Sequence, residues 1–98
     1  MELTIQSVNF EATDQLKSFV EKKTKKLERF SDDIIQTEVI LKVIKPDAVN
    51  NKDAAIKINL RHSEAYANKT ADSFEEAIDL CTMAIEKQII RSKDKLER

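Results

Sequence analysis

The sequence predicts an α+β fold of order β-α-β-β-β-α: a four-stranded mixed sheet with two helices on one face. Three observations carry this expectation. Residues 36–45 alternate apolar and polar side chains as a strand does, with Val39, Leu41 and Val43 on one side. Two stretches carry apolar residues at helical spacing, each preceded by a residue that caps a helix. The 98 residues include no glycine, so the turns between these segments rest on Asn, Asp, Ser and Pro. A chain of this length, with residues 1–98 as one domain, buries roughly 60–65% of the surface its unfolded form exposes.

In chain order, residues 2–8 read as a short strand in which Leu3, Ile5 and Ser7 alternate with Thr4, Gln6 and Val8. Thr13 or Asp14 caps a helix that runs to about Arg29, ended by Phe30-Ser31-Asp32-Asp33. The strand over 36–45 also carries Ile40 and Ile44 on its second face, which marks it as central. Lys45-Pro46-Asp47 breaks it, and Asn50-Asn51-Lys52-Asp53 reads as a turn. A third strand follows at 54–61, with Ile56, Ile58 and Leu60 on one face, then a hairpin turn at Arg61-His62-Ser63 and a fourth strand over about 64–71. Ser73 and Glu76 have the spacing of a capping box, in which each side chain bonds the other's backbone N–H. The second helix they open runs to the low 90s. A β-α-β start favours parallel strands with a right-handed crossover, and the last three strands form an antiparallel meander.

Net charge is −1 and the pI about 5.9, a balance that argues against nucleic-acid binding when taken alone. The average hides a segregation. Residues 17–29 hold six bases against two acids, and residues 87–98 hold five against two. At about 100° per residue, Leu16, Val20, Thr24 and Leu27 form the buried stripe of the first helix, with Phe19 at its edge. Lys22, Lys25, Lys26 and Arg29 gather on the far side, while Lys23 lies near the edge of the buried stripe and reaches out on its long stem. On the second helix Phe74, Ile78, Cys81 and Ile85 form the buried stripe, flanked by Ala77 and Ile89. Lys87, Arg91, Lys95 and Arg98 recur at i, i+4, i+8 and i+11 and share one side. Side by side, the two basic ridges would make one groove for a phosphate backbone. The plainer reading is a solvated surface, since lysine-rich helix faces commonly serve only that purpose.

Other chemistry finds little support. His62 sits in a turn with no nucleophile at a motif spacing, Cys81 falls on an apolar stripe, and a chain without glycine forms neither a P-loop nor a dinucleotide-binding turn. The acids at Asp32, Asp33 and Asp47 are scattered, so neither a metal, a cofactor, a small-molecule substrate nor an enzymatic function is expected. With one cysteine there is no internal disulfide. No apolar run approaches the ~20 residues that span a membrane and no secretory signal is visible, so cytoplasmic residence is the expectation. Met83 and Ile90 point outward on the second helix and suggest the alternative, a homodimeric protein-interaction module that uses them or pairs open sheet edges.

The residues also carry a family resemblance. Leu3-Thr4-Ile5, Thr13 leading into Leu16-Lys17-Ser18-Phe19-Val20, Lys26-Leu27-Glu28, Val39-Ile40-Leu41-Lys42-Val43, Ala77-Ile78-Asp79, Lys87-Gln88-Ile89 and Lys93-Asp94-Lys95-Leu96 stand in order along nearly the whole chain. Together they resemble the short form of the ribosome hibernation-promoting factor and ribosome-associated inhibitor family, also called the sigma modulation protein family. The resemblance implies a fold like a double-stranded-RNA-binding domain. It implies docking on the small ribosomal subunit and its rRNA, in the decoding region, with steric exclusion of mRNA and tRNA. It also implies that Lys23, Lys26, Lys87, Arg91, Lys93 and Lys95 face phosphates. Long members append a second domain that pairs ribosomes; in a chain that stops after the second helix, any pairing would fall to a separate factor. Ala84 and Glu75 depart from the family pattern, which more often has a lysine and an aromatic there.

Overall fold

The computed structural model describes residues 2–45 and 49–96, with side chains described through residue 91. The elements are β1 (Glu2–Val8), α1 (Asp14–Leu27), a 3-10 turn (Glu28–Phe30), β2 (Ile34–Val43), β3 (Lys52–Leu60), β4 (Glu64–Ala71) and α2 (Phe74–Leu96). The sheet order is β1-β2-β3-β4, with β1 parallel to β2 and the other pairs antiparallel. The expected α+β class, a mixed sheet with two helices, is what the chain forms.

The register explains the layers. Val39 stands opposite Ile5 and Ile56, and Ile56 opposite Ala67. This row is buried except for the half-buried Ile5, and the small Ala65, Ala67 and Ala71 of β4 let α2 pack close to the sheet. The alternate residues form an open face: Glu38, Lys57 and Tyr66 in one row, Ile40, Ala55 and Asn68 in the next. Ile40 is 39% exposed there, so β2 is central in the sheet without being buried on both faces. Gln36 and Asn59, and Asn68 and Asp53, hydrogen-bond across this face, so its polar groups are tied to one another.

Local chemistry sets the boundaries. The Thr13 hydroxyl accepts from the Leu16 N–H at 3.1 Å, and the Ser73 hydroxyl accepts from the Glu76 N–H at 3.1 Å, as capping requires. Thr13→Ala and Ser73→Ala are each expected to cost about 1 kcal/mol in urea unfolding. The first helix stops its α-helical bonding at Leu27, two residues before the expected Arg29, and tightens into the 3-10 turn. β2 begins and ends two residues earlier than expected. Lys52 and Asp53, expected in a turn, open β3 opposite Val43 and Lys42. Pro46 and Asp47 of the expected break lie outside the described residues. Without glycine, the left-handed backbone positions fall to Asn9 (φ 68°) and Asn50 (φ 54°), the residue type that tolerates them best. Asn9 Nδ2 donates to Val43 O at 3.3 Å, and the Asp72 carboxylate accepts from Asn50 N at 2.9 Å, so both turns are pinned to distant strands or caps.

Cys81 is fully buried between α2 and the sheet, its thiol donating to Ala54 O at 3.2 Å. Burial pushes the thiol up from 9.0 to about 11. The folded state therefore holds its proton more tightly than the unfolded chain. The resulting stability is complete below pH 9 and is lost as pH rises through about 11. Two units correspond to about 2–3 kcal/mol at the limit. Urea unfolding across pH 8–11 should show a steeper alkaline loss in the parent chain than in Cys81→Ala, which lacks this titration; the packing and the hydrogen bond to Ala54 O that the variant also loses lower its stability without adding a pH dependence in that range.

Candidate nucleic-acid interface

The topology fixes how the two helices present their charges. β1 and β4 run in the same direction, and each is followed by a helix that packs back along the sheet, so α1 and α2 start at the same end and run the same way. With 14 residues α1 is about 21 Å long and with 23 residues α2 is about 34 Å, so α2 runs on past the end of α1. Both C-terminal ends, with their partial negative charge, lie where the basic residues accumulate, and Lys25 and Lys26 occupy the last turn of α1.

Leu16, Val20, Thr24 and Leu27 are buried against the core, as the helical spacing requires. The Thr24 hydroxyl is satisfied within the helix by Val20 O at 2.9 Å. Lys22, Lys25, Lys26 and Arg29 are all exposed on the opposite side. Together with Glu28 they line an open depression of about 420 Å³. Among the described residues the ion pairs involve Lys23, Lys57 and Arg61, and none draws a base from this ridge. Four like-charged side chains at neighbouring helical positions repel one another, and an anion placed among them relieves that cost.

Lys23 has a different place. Its ammonium lies 2.9 Å from the Asp79 carboxylate of α2 and 5.4 Å from the centre of the Phe19 ring. It is half-buried and bridges the two helices, so it stands apart from the exposed ridge, as its spacing at the edge of the buried stripe implied, although the resemblance counted it among the phosphate-facing residues. The sequence signal was its position at the edge of the buried stripe, where a neighbouring element packs.

On α2, Lys87 and Arg91 are exposed. Lys93 and Lys95 belong to the same helix, but their side chains, like Arg98, lie outside the described residues. Asp79 and the buried Thr82 mark the side of α2 that faces α1. Lys87 is about 80° and Arg91 about 120° around the helix from Asp79. The other flank is fixed by Gln88, whose amide accepts from Tyr66 N at 3.0 Å and donates to Tyr66 O at 2.7 Å on the outer edge of β4. Lys87 and Arg91 therefore stand on the outward face, leaning toward β4. The groove expected between the two ridges is instead a strip carrying Met83, 55% exposed, and Ile90, 44% exposed. Leu80 joins them at 39% exposed; it was legible in the sequence as the residue three before Met83.

Among the described residues no group of three or more His, Cys, Asp or Glu side chains is placed to hold a metal. His62 is an exposed turn residue. No described helix is long and apolar enough to cross a membrane.

The chain matches known proteins over its whole length. The family model described as sigma 54 modulation protein / S30EA ribosomal protein matches residues 3–97. The ribosome hibernation promoting factor of Escherichia coli K12 is 35% identical over 98 residues, covering 100% of this chain and 99% of that protein. The ribosome hibernation promotion factor of Bacillus subtilis is 29% identical over 100 residues, and there the match spans 51% of the relative. Among solved structures, the N-terminal domain of Thermus thermophilus Protein Y superposes with a TM-score of 0.80 at 25% identity, over 93% of this chain and 98% of that one. A ribosomal subunit interface protein from Coxiella burnetii has the same fold, with a TM-score of 0.78 at 21% identity. The ordered sequence signals, the β-α-β-β-β-α architecture and these matches agree: the chain belongs to the sigma 54 modulation protein / S30EA ribosomal protein family.

Proposed function

We propose that this chain is a ribosome hibernation factor that binds ribosomal RNA of the small subunit through the outward basic faces of α1 and α2. The observation that carries the reading is the exposed ridge of Lys22, Lys25, Lys26 and Arg29, which the fold turns away from its core while leaving it without an acidic partner among the described residues. Lys87 and Arg91 extend the same charge along the longer helix, and Lys93 and Lys95 continue it in sequence. Lys23 contributes by holding α2 against α1 through Asp79. The mechanism is steric and non-catalytic: the domain occupies the decoding region, where mRNA and tRNA bind, and idles the ribosome in the cytoplasm. Relatives named as hibernation promoting factors support this reading.

Phosphate binding of this kind releases counterions. Six contacts from Lys22, Lys25, Lys26, Arg29, Lys87 and Arg91 give a log–log salt slope of about −4 to −5. Between ~50 mM and ~200 mM salt, affinity for small subunits should fall by about three orders of magnitude. Co-sedimentation with purified small and large subunits across that range tests the proposal. Association with small subunits at low salt is expected; none at low salt, or binding indifferent to salt, would sink it.

A further inference from the structure

Lys23 stands beside the basic ridge of α1 and is held away from it. Around the helix, Lys26 lies about 60° and Lys22 about 100° from Lys23, both to the same side. The three ammoniums therefore fall within little more than one turn. Lys22 and Lys26 have no acidic partner among the described residues, whereas Lys23 has Asp79 of α2. The Asp79 carboxylate accepts from the Lys23 ammonium at 2.9 Å, the contact that a phosphate oxygen makes with a lysine. The Phe19 ring, its centre 5.4 Å from Nζ, favours the same pose. Asp79 is fixed from behind, because the Thr82 hydroxyl donates to Asp79 O at 2.9 Å and the neighbouring Ile78 is fully buried. The carboxylate is thus tethered next to Lys23. An RNA phosphate has to arrive from solution, displace it and approach a negative charge.

The pair adds to the docking of the two helices but does not carry it. The Lys23 and Asp79 side chains are 26% and 47% exposed, and an ion pair so exposed contributes at most about fivefold to the folding equilibrium. Val20 and Leu27 of α1 and Ile78 and Ile85 of α2, all fully buried, join the helices to the core without it. We propose that Asp79 limits the affinity of the RNA-binding face by holding Lys23 in the place of a phosphate. The proposal rests on the RNA-binding reading of α1. Removing the carboxylate frees an ammonium whose long stem lets it reach the side of Lys22 and Lys26. One further phosphate contact adds about 0.7–0.9 to the log–log salt slope, which at ~0.1 M salt is about five- to eightfold in affinity. A residue that served only to position the helices would weaken binding when lost. The sign of the change separates the two roles.

Filter binding of the full chain to purified small subunits, from ~50 mM to ~200 mM salt, tests the proposal. Asp79→Asn keeps the shape of the side chain and removes its charge, and Asp79→Ser removes both; circular dichroism verifies that each folds. Both should bind about five- to eightfold more tightly than the parent at ~0.1 M salt, with a slope steeper by about 0.7–0.9. Asp79→Glu, which keeps the charge, should show no such gain. The gain should also vanish when Lys23→Gln is present in both chains compared, because Asp79 acts through Lys23. Glu75→Gln removes an exposed acid one turn earlier on the same helix, and screening should hold its effect below about twofold. Variants at Asp79 that bind no more tightly than the parent overturn the proposal. So does a gain that survives in the Lys23→Gln background, or one matched by Glu75→Gln, since general charge would then account for it. A parent that does not associate with small subunits at low salt removes the RNA-binding reading itself and the proposal with it, whereas a parent that binds while the Asp79 variants gain nothing removes the proposal alone.

Discussion

The triple variant Lys26→Glu, Lys87→Glu, Arg91→Glu is expected to bind small ribosomal subunits about 10²–10³-fold more weakly than the parent at ~0.1 M salt. The size follows from counterion release. Each lost phosphate contact removes about 0.7–0.9 from the log–log salt slope, so three lost contacts remove about 2–3 from it and as many decades of affinity at that salt. All three residues are exposed, and among the described residues none takes part in an ion pair, so the fold should survive. The control reverses charge elsewhere: Lys42→Glu with Lys57→Glu lies on the open face of the sheet, away from both helices. Filter binding across a salt series separates the outcomes. A loss confined to the helical variant locates the interface on α1 and α2. An equal loss in the control would show that only total charge matters. Unchanged binding in the triple variant would remove these residues from the interface.

Ile56→Ala is expected to cost about 2–5 kcal/mol, the largest effect of any single truncation considered for this chain. Ile56 is fully buried in β3, between Val39 on one side and Ala67 on the other, beneath the helices. No neighbour in its row is large enough on the β4 side to close over the space left. Against the 5–15 kcal/mol that holds a small domain together, this is a substantial share, and the melting temperature should drop by about 10–30 °C. Ile40→Ala removes the same atoms one strand away on the open face, where the residue is already 39% exposed, and should cost under about 1 kcal/mol. Thermal unfolding of the two variants side by side measures the difference between the faces of one sheet. Equal costs would mean that the open face is covered in solution.

The element order and both caps were legible in the sequence because they rest on local chemistry. Thr13 and Ser73 bond N–H groups three residues away, and the stripes at Leu16–Val20–Leu27 and Phe74–Ile78–Ile85 repeat at helical spacing. The errors came where a distant partner decides. Lys52 and Asp53 look like turn residues in isolation, yet Val43 and Lys42 pair with them and the Asn68 amide donates to the Asp53 carboxylate. The outward side of each helix was legible for the same reason as the stripe: Lys22, Lys25, Lys26 and Arg29 follow from spacing alone. How the two helices meet was not. Asp79 claims Lys23 from across the helix pair, and Gln88 clamps Tyr66 on β4, turning Lys87 and Arg91 away from α1. Both contacts join residues far apart in sequence, and no spacing within one helix reports them.

The most direct test of the central claim is a cryo-electron microscopy map of this chain bound to the small ribosomal subunit. The account predicts density for the domain in the decoding region, with Lys22, Lys25, Lys26 and Arg29 of α1 and Lys87 and Arg91 of α2 against rRNA phosphates, and the open face of the sheet turned away from the RNA. A complex in which the sheet face meets the rRNA and both helices face solvent, or in which the chain sits outside the decoding region, would contradict it.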